Sequence, residues 1–140
     1  MNIPFGTGKL TFLEPGDLKS SNENCMCILF ESEECVILIT GDRDRAGEGV
    51  LIQKYDLPDV DVLIAGHHGS KYSTSLELLL SVRPEIVIIS AGANNQYGHP
   101  HDVTLNKYKK QGIKQIYRTD QNGTVTIASN GKGYSVSCGK

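Results

Sequence analysis

Three apolar stretches of this chain end in polar loops whose side chains could bind a metal or move a proton. The stretches are residues 36–40, 62–65 and 86–90. Asp42 follows the first stretch, His67 and His68 follow the second, and the loop after the third contains His99 and His101. All four histidines therefore lie in two loops, and the remaining loop supplies a carboxylate. Imidazole nitrogen and carboxylate oxygen are together typical ligands of zinc and related divalent metals.

The position of these side chains at strand ends suggests one shared site. Ligands of α/β sheets bind in the crevice outside the carboxyl ends of the strands. A glycine follows each stretch at once or nearly so, which lets the backbone turn sharply and present the next side chain. We expect Asp42, His67 and His68 to converge at one concave edge. A metal site would need the Asp42 and His67 side chains within about 12 Å of each other.

Each of these residues also has a purely structural interpretation. Asp42 could cap a helix that starts in the following Arg43-Asp44-Arg45 segment. His101 stands where a helix begins, with Pro100 at its first position and Asp102 in its first turn, and for His101 this interpretation is favoured. The adjacent histidine pair could be an exposed turn. Its position between glycines at the end of a buried strand favours a role in a site.

The segment His99-Pro100-His101-Asp102 is not the H-x-H-x-D-H metal motif, although it looks similar. Asp102 directly follows the second histidine, and no histidine comes after it. The segment therefore does not supply the paired ligand set of that motif.

The elements needed to position these loops follow from the periodicity of the chain. Apolar and β-branched runs predict strands over residues 9–13, 25–31, 35–40, 60–65, 85–90 and 113–117. Helices are predicted over residues 43–55, 75–82 and 102–111, and a β-hairpin over residues 124–128 and 133–137 with Asn130-Gly131 in its turn. Strands that alternate with helices predict an α/β fold with a mixed sheet.

The start of the second predicted helix has a sequence feature of its own. Residues 74–77, Thr-Ser-Leu-Glu, fit a capping box. We therefore expect this helix N-terminus, behind the histidine loop, to present free N–H groups suited to phosphate.

Size and composition indicate one globular domain, and we treat residues 1–140 as a single domain. The net charge of −2 lacks the broad basic field of sequence-independent DNA-binding proteins, so any DNA contact is expected to be local. A local basic patch would consist of Lys71, Arg83, Lys107, Lys109, Lys110, Lys114 and Arg118. Clustering of these residues beside His67 would favour DNA. The apolar runs are at most six residues, too short to span a membrane.

Four cysteines occur in the chain. They are Cys25, Cys27, Cys35 and Cys138. Three of them lie in strand-like apolar runs, and a chain of this size does not need disulfides for stability, so we expect free thiols.

Four motifs in order carry a resemblance to a known family. They are Thr-Gly-Asp at residues 40–42, Ala-Gly-His-His-Gly-Ser-Lys-Tyr-Ser at 65–73, Asn-Gln-Tyr-Gly-His-Pro at 95–100 and Tyr-Arg-Thr-Asp at 117–120. The chain resembles the metallo-β-lactamase-like domain at the C-terminus of ComEC-type DNA-internalisation competence proteins and in their free-standing relatives. The resemblance covers roughly residues 10–136. Upstream, the segment from Asn22 to Cys25 resembles the family's Asn-rich segment, with Cys25 where serine is usual.

The resemblance implies an αββα sandwich with one or two divalent metals, zinc or manganese, between its sheet edges. It implies that Asp42 is the metal-bridging aspartate and His67 a terminal histidine ligand. His68, Ser70 and His99 are then implied as catalytic residues, with His68 facing the substrate phosphate or the leaving group. Substrate contacts are implied at Asn22, Lys71 and Arg118.

The chain departs from the family by having no H-x-H-x-D-H motif. Asp42 and His67, even with His68, leave a divalent ion short of ligands. We therefore expect the C-terminal half of such a domain, without the first sheet. A half-sandwich exposes apolar sheet surface, so its expected partner is the missing N-terminal half or a second copy of the chain.

The leading functional hypothesis is a portion of a metal-dependent phosphodiesterase or nuclease of a DNA-uptake competence protein, inactive or weakly active by itself. The resemblance places such a domain at the extracellular face of a membrane-anchored protein. A non-catalytic interaction module with vestigial histidine loops is one alternative. A hydrolase of a small ester is another, because a fold does not fix a function.

Overall fold

Antiparallel and parallel strands meet at the fourth strand of one mixed sheet. The computed structural model describes residues 1–14, 21–130 and 132–139. Over these residues seven strands pair in chain order. They are β1 (Asn2–Phe5), β2 (Gly8–Leu13), β3 (Cys27–Glu31), β4 (Val36–Ile39), β5 (Val62–Ile64), β6 (Ile86–Ile89) and β7 (Gln115–Arg118). Strands β1 to β4 are antiparallel neighbours, and β4 to β7 are parallel. The predicted α/β class with a mixed sheet is confirmed.

The main core lies between the sheet and three helices. Helices α1 (Arg45–Lys54), α2 (Leu76–Val82) and α3 (Asp102–Lys110) each connect two neighbouring parallel strands. Leu38 and Leu63 on the strands pack in the same buried cluster as Leu51 of α1, Leu78 of α2 and Tyr108 of α3. Each of these five side chains is fully buried. The pleat turns alternate strand residues to the two faces of the sheet, so the opposite face needs a second cover.

The second face of the sheet is covered only in part. The hairpin of β8 (Val125–Ser129) and β9 (Tyr134–Cys138) packs Ile127 and Val136 against Val62 and Ile86. The predicted hairpin is confirmed, although Gly131 of its turn lies outside the described residues. Beyond the hairpin, an apolar groove of about 340 Å³ remains open. Its lining includes Phe5, Leu10, Phe30, Ile37 and Ile39. This arrangement is consistent with half of an αββα sandwich.

Besides the short 3-10 segment at Gly66–Gly69, two elements were not predicted from the sequence. Strand β1 is exposed at every residue and pairs with β2 at the edge of the sheet. Its four residues include Pro4, which disfavours a strand. A short helix, α4 (Thr119–Asn122), follows β7 directly and has no buried residue, so it carries no apolar periodicity.

The predicted helix caps need correction at three places. Asp44 rather than Asp42 caps α1, and its carboxylate accepts the N–H groups of Ala46 and Gly47. Ser75 rather than Thr74 caps α2. Pro100 precedes the cap of α3 and is not its first helical residue, because His101 occupies the cap position. The capping alternative for Asp42 is therefore wrong.

A buried carboxylate occupies the N-terminus of α2. Glu48 is fully buried and accepts the N–H groups of Thr74 at 2.6 Å and Ser75 at 2.7 Å. Burial raises the pKa of Glu48, while these hydrogen bonds and nearby Lys107 oppose the shift. The N–H groups of Thr74 and Ser75 are therefore not available to a phosphate, because Glu48 already accepts them.

The cysteines are free, as predicted: none of the four forms a disulfide. Burial raises the pKa of the Cys27 thiol to about 12 and that of the Cys35 thiol to about 11. Both thiols therefore stay protonated at neutral pH. Among the described residues, no helix is long and apolar enough to span a membrane.

The Glu48 carboxylate gives a stability prediction. In Glu48→Gln the amide nitrogen faces one of the two backbone N–H donors, which leaves that donor buried without an acceptor. We expect the free energy of unfolding to fall by about 1–3 kcal/mol in urea denaturation at pH 7, with an unchanged m-value. The exposed Glu33 provides the control, since Glu33→Gln should change the free energy of unfolding by less than about 0.5 kcal/mol. Equal effects of both substitutions would contradict the role of Glu48.

Candidate functional site

The parallel register brings the three predicted loops to one edge of the sheet. Ile39 of β4 pairs with Ile64 of β5, which pairs with Ile88 of β6, so the strands end nearly level. The backbone N–H of His67 donates to Gly41 O at 2.8 Å and joins the first two loops directly. Gly41 has a φ of +57°, and a Cβ there would lie 2.6 Å from the Cys25 sulfur. Only glycine fits this turn, and it leads directly into Asp42.

The adjacent histidines occupy an unusual backbone conformation. His67 has φ +49° and His68 φ +56°, both left-handed, within a 3-10 segment at Gly66–Gly69. The N–H of Ser70 donates to His67 O at 2.9 Å and closes this turn. Non-glycine residues in this region are uncommon and concentrate at functional sites. The turn moves the two imidazoles away from the strand direction and toward the other loops.

His68 has one ring nitrogen fixed and the other facing Asp42. Its Nδ1 lies 2.7 Å from Ser90 O, and because a carbonyl only accepts, Nδ1 carries the proton. In the neutral ring Nε2 is then unprotonated. This atom lies 3.7 Å from Oδ1 of Asp42, too far for a hydrogen bond. Both side chains are about half exposed, with relative areas of 52% and 50%. The pair therefore faces solvent with free polar atoms.

The other histidine loop completes a cluster of four imidazoles. The ring centre of His99 lies 5.6 Å from that of His67, 6.3 Å from His68 and 4.9 Å from His101. Burial lowers the pKa of His99, and the neighbouring imidazoles lower it further. His99 is therefore kept neutral, in the protonation state that can accept a proton or a metal. Asp42, His67, His68 and His99 thus converge, as the sequence predicts for the first three.

His67 carries an orphaned polar atom. Its Nδ1 is buried and has no hydrogen-bond partner. Burying a polar atom without a partner costs about 1–3 kcal/mol, so such an atom needs an explanation, and an absent ion is one. Imidazole nitrogen beside the Asp42 carboxylate fits zinc or manganese as part of a ligand set. Among the residues that the structure describes, no group of three or more His, Cys, Asp or Glu side chains is arranged so that it could hold a metal ion by itself.

Ser70 and Lys71 lie in the same loop but in different environments. Ser70 is 1% exposed, and its hydroxyl accepts the N–H of Tyr72 at 3.3 Å. Its carbonyl accepts the hydroxyl of Thr104 at 3.1 Å. Lys71 is exposed, and its backbone N–H donates to Nδ1 of His101 at 3.2 Å. The structure therefore places Ser70 under the site as a loop anchor and Lys71 on the open side.

Arg118 lies at the edge of the site with its charge already paired. Its guanidinium makes a bidentate bond to Asp120 at 3.0 and 2.6 Å, and both side chains are mostly buried. The next residue, Thr119, exchanges two hydrogen bonds with the backbone of Ala91, at 2.9 and 2.8 Å. This part of the Arg-Thr-Asp motif therefore ties β7 to the loop after β6.

The segment of Asn22 supports the Asp42 loop from behind. The carbonyl of Asn22 accepts the N–H of Cys25 at 3.4 Å. The Cys25 sulfur in turn accepts the backbone N–H of Asp42 at 3.2 Å. Asn22 is thus linked to the site through Cys25.

The predicted basic residues do not cluster beside His67. Arg83 pairs with Asp59, and the ammonium group of Lys107 donates to the carbonyls of Ser73 and Thr74. Lys109, Lys110 and Lys114 follow at the C-terminal end of α3, which begins at the site and runs away from it. Of the seven residues of the predicted local basic patch, Lys71 and Arg118 are the two near the site, so the clustering beside His67 that would favour DNA is not met.

Sequence reasoning did not assign the role of Arg43. This side chain is fully buried, and its guanidinium donates to the carbonyls of Cys25 and Gly47. It holds the segment before β3 against α1 and so fixes the cysteine that supports Asp42. Within a charged Arg-Asp-Arg run, no sequence signal distinguishes it from a solvated arginine.

Comparison with known proteins gives relatives over most of the chain. The chain is 38% identical over 112 residues to ComE operon protein 3 of Bacillus subtilis, which covers 80% of this chain and 14% of that protein. It is 38% identical over 118 residues to the competence protein ComA of Neisseria gonorrhoeae, covering 81% of this chain and 17% of that protein. It is also 40% identical over 83 residues to recombination protein 2 of Haemophilus influenzae, which covers 59% of this chain and 10% of that protein. No family model matches the chain.

These relatives are much longer than the matched region. The chain spans 14% and 17% of the first two. The matched region covers 80% and 81% of this chain. The chain belongs to the family of ComEC-type competence proteins and matches one part of their length.

Proposed function

We propose that this chain forms part of a metal-dependent phosphodiesterase or nuclease domain with a metallo-β-lactamase-like fold, which acts on DNA during uptake. The orphaned Nδ1 of His67 beside the Asp42 loop carries the proposal. The membership of the chain in a competence family supports DNA as the substrate. In such a protein this domain lies at the extracellular face of the membrane.

Asp42 and His67 are the proposed ligands of zinc or manganese. A bound divalent ion would supply Lewis-acid activation of water and neutralise charge on the phosphate oxygens. The carboxylate of Asp42 remains half exposed and makes no hydrogen bond to His68, so it is available to a cation. The left-handed turn at His67 holds its imidazole at the same edge.

His68 is the proposed proton-transfer residue. The carbonyl of Ser90 fixes the Nδ1 proton, which leaves Nε2 able to accept a proton from a nucleophile or to pass one to a leaving group. The ring centre of His99 lies 6.3 Å from that of His68, and His99 is a proposed contact residue of the same site.

Ser70, Lys71, Arg118 and Asn22 have different proposed roles. Lys71 is the exposed contact for a substrate phosphate. Ser70 and Arg118 position the loops, because their polar groups are engaged by Tyr72 and Asp120. Asn22 acts through the segment that supports Asp42.

The ligand set of the described residues is partial, so other residues must complete it. The open apolar groove beside the hairpin is the surface on which the first sheet of a full sandwich would pack. Ligands from that sheet would reach the same edge. By itself the chain should bind metal weakly and show little or no nuclease activity, since two ligands rarely hold a divalent ion tightly.

Manganese binding tests the ligand assignment directly. We expect substoichiometric Mn²⁺ to broaden the histidine Cε1–H signals in proton NMR spectra of the wild-type chain. Asp42→Asn and His67→Ala should each reduce this broadening, because each removes one ligand. Asp59→Asn removes an exposed carboxylate that pairs with Arg83 and should leave the broadening unchanged. Equal broadening in all four proteins would contradict the assignment and favour a non-catalytic module.

A nuclease assay tests the incompleteness of the site. The isolated chain should not cleave DNA efficiently in the presence of Zn²⁺ or Mn²⁺. Efficient cleavage that both Asp42→Ala and His67→Ala abolish would show that this chain holds a complete site. Cleavage that survives both substitutions would indicate a contaminating nuclease.

The stability of His67→Ala separates a ligand from a structural histidine. If His67 is a metal ligand, it is not part of a satisfied hydrogen-bond network. We therefore expect the free energy of unfolding of His67→Ala, measured without metal, to fall by about 0.5 kcal/mol or less. The positive control is Thr104→Val, which deletes a buried hydrogen bond to Ser70 O and should cost about 1 kcal/mol. A loss above about 2 kcal/mol for His67→Ala would assign it a structural role.

A further inference from the structure

An exposed tyrosine extends the aromatic rings of the candidate site toward solvent. The ring centre of Tyr97 lies 5.7 Å from that of His99, at an interplanar angle of 25°. His99 lies 6.3 Å from His68 at 28°. Adjacent rings are thus tilted by 25–28° to each other, in a series that begins beside Asp42. Tyr97 is 68% exposed, so its ring is open to a further planar group.

A cavity lies against these rings and has room for a planar ligand. Its volume is about 190 Å³, and Ala91 and Gly92 form part of its wall. A Cβ atom on Gly92 would meet no other atom within 4 Å, so the space in front of it is open. The described residues that line the cavity include no lysine or arginine. A ligand there would be recognised through its flat face and not mainly through a phosphate.

The loop that carries Tyr97 and His99 is held in place by a single amide. The side-chain nitrogen of Asn95 donates to Gly92 O at 2.9 Å and to His99 O at 2.6 Å. Its side-chain oxygen accepts the N–H groups of Tyr97 at 3.2 Å and His99 at 2.9 Å. The loop is therefore internally braced before any ligand binds, which reduces the entropy cost of stacking.

We propose that this cavity binds an unpaired nucleobase of a DNA strand, stacked on Tyr97 and His99, so that the linked phosphodiester lies near His68 and Asp42. The inference rests on the proposed function for its choice of DNA. Every base has a π-face, so such stacking tolerates any sequence. In a duplex both faces of each base are covered, and the site therefore selects single-stranded DNA.

Binding of a fluorescent oligothymidylate, measured by anisotropy in EDTA, tests the proposal. Tyr97→Ala should weaken binding by about 5- to 150-fold, the usual range for one lost base–aromatic stack. Tyr97→Phe keeps the ring and should bind within about twofold of wild type. Tyr72→Ala removes another exposed tyrosine, from the neighbouring loop, and should also bind like wild type.

Two further measurements identify the base as the recognised group. Gly92→Leu fills the open space in the cavity and should weaken binding as Tyr97→Ala does. An abasic strand of equal length and charge, and the corresponding duplex, should both bind more weakly than the single strand. The binding constant should depend only weakly on salt, because few phosphates are neutralised. The slope of its logarithm against the logarithm of the salt concentration should have a magnitude of about 1 or less.

Several results would overturn the proposal. They are equal affinity of the abasic and normal strands, equal affinity of Tyr97→Ala and wild type, and no binding of the single strand by wild type. The assay contains no free metal, so its result does not depend on the metal ligands. Failure of the metal-site proposal would therefore leave this result intact, and failure of stacking would leave the manganese result intact.

Discussion

In-register parallel pairing of β4, β5 and β6 is the constraint on which the site depends. Because Ile39, Ile64 and Ile88 lie side by side, the loops that follow them leave the sheet at the same edge. A shift of one residue in either pairing would turn apolar strand residues to the wrong face and separate these loops. The same buried pairing that stabilises the core therefore fixes the distance between the carboxylate and the imidazoles.

Two buried charged side chains hold the loops that the sheet brings together. Arg43 fixes the Cys25 carbonyl, and Cys25 supports the backbone of Asp42. Glu48 accepts the N–H groups of the residues that follow the histidine loop. Buried charges are costly unless their polar atoms are satisfied, and both of these are multiply hydrogen-bonded. The site thus rests on a polar second layer, while Asp42 and the ring of His68 keep free polar atoms toward solvent.

The fold was predictable where burial leaves a pattern in the sequence. The strands around Leu38, Leu63 and Val87 are fully apolar and flanked by glycine or polar loops, so their type and order follow from the residues. Strand β1 is short, exposed and contains Pro4, so it was not predicted. The convergence of Asp42 with the histidines followed from strand ends. The burial of Arg43 and Glu48, and the ring series ending at Tyr97, depend on contacts between distant segments that a single sequence does not reveal.

The most direct test of the central claim is an anomalous difference map from crystals of this chain soaked in zinc. We expect one anomalous zinc peak at the edge of the sheet, about 2.0–2.2 Å from a carboxylate oxygen of Asp42 and from Nδ1 of His67. Partial occupancy is expected, because the described ligand set is incomplete. A well-ordered map with zinc bound elsewhere, for example at Cys25, but with no zinc between Asp42 and His67, would contradict the assignment of these two residues as metal ligands.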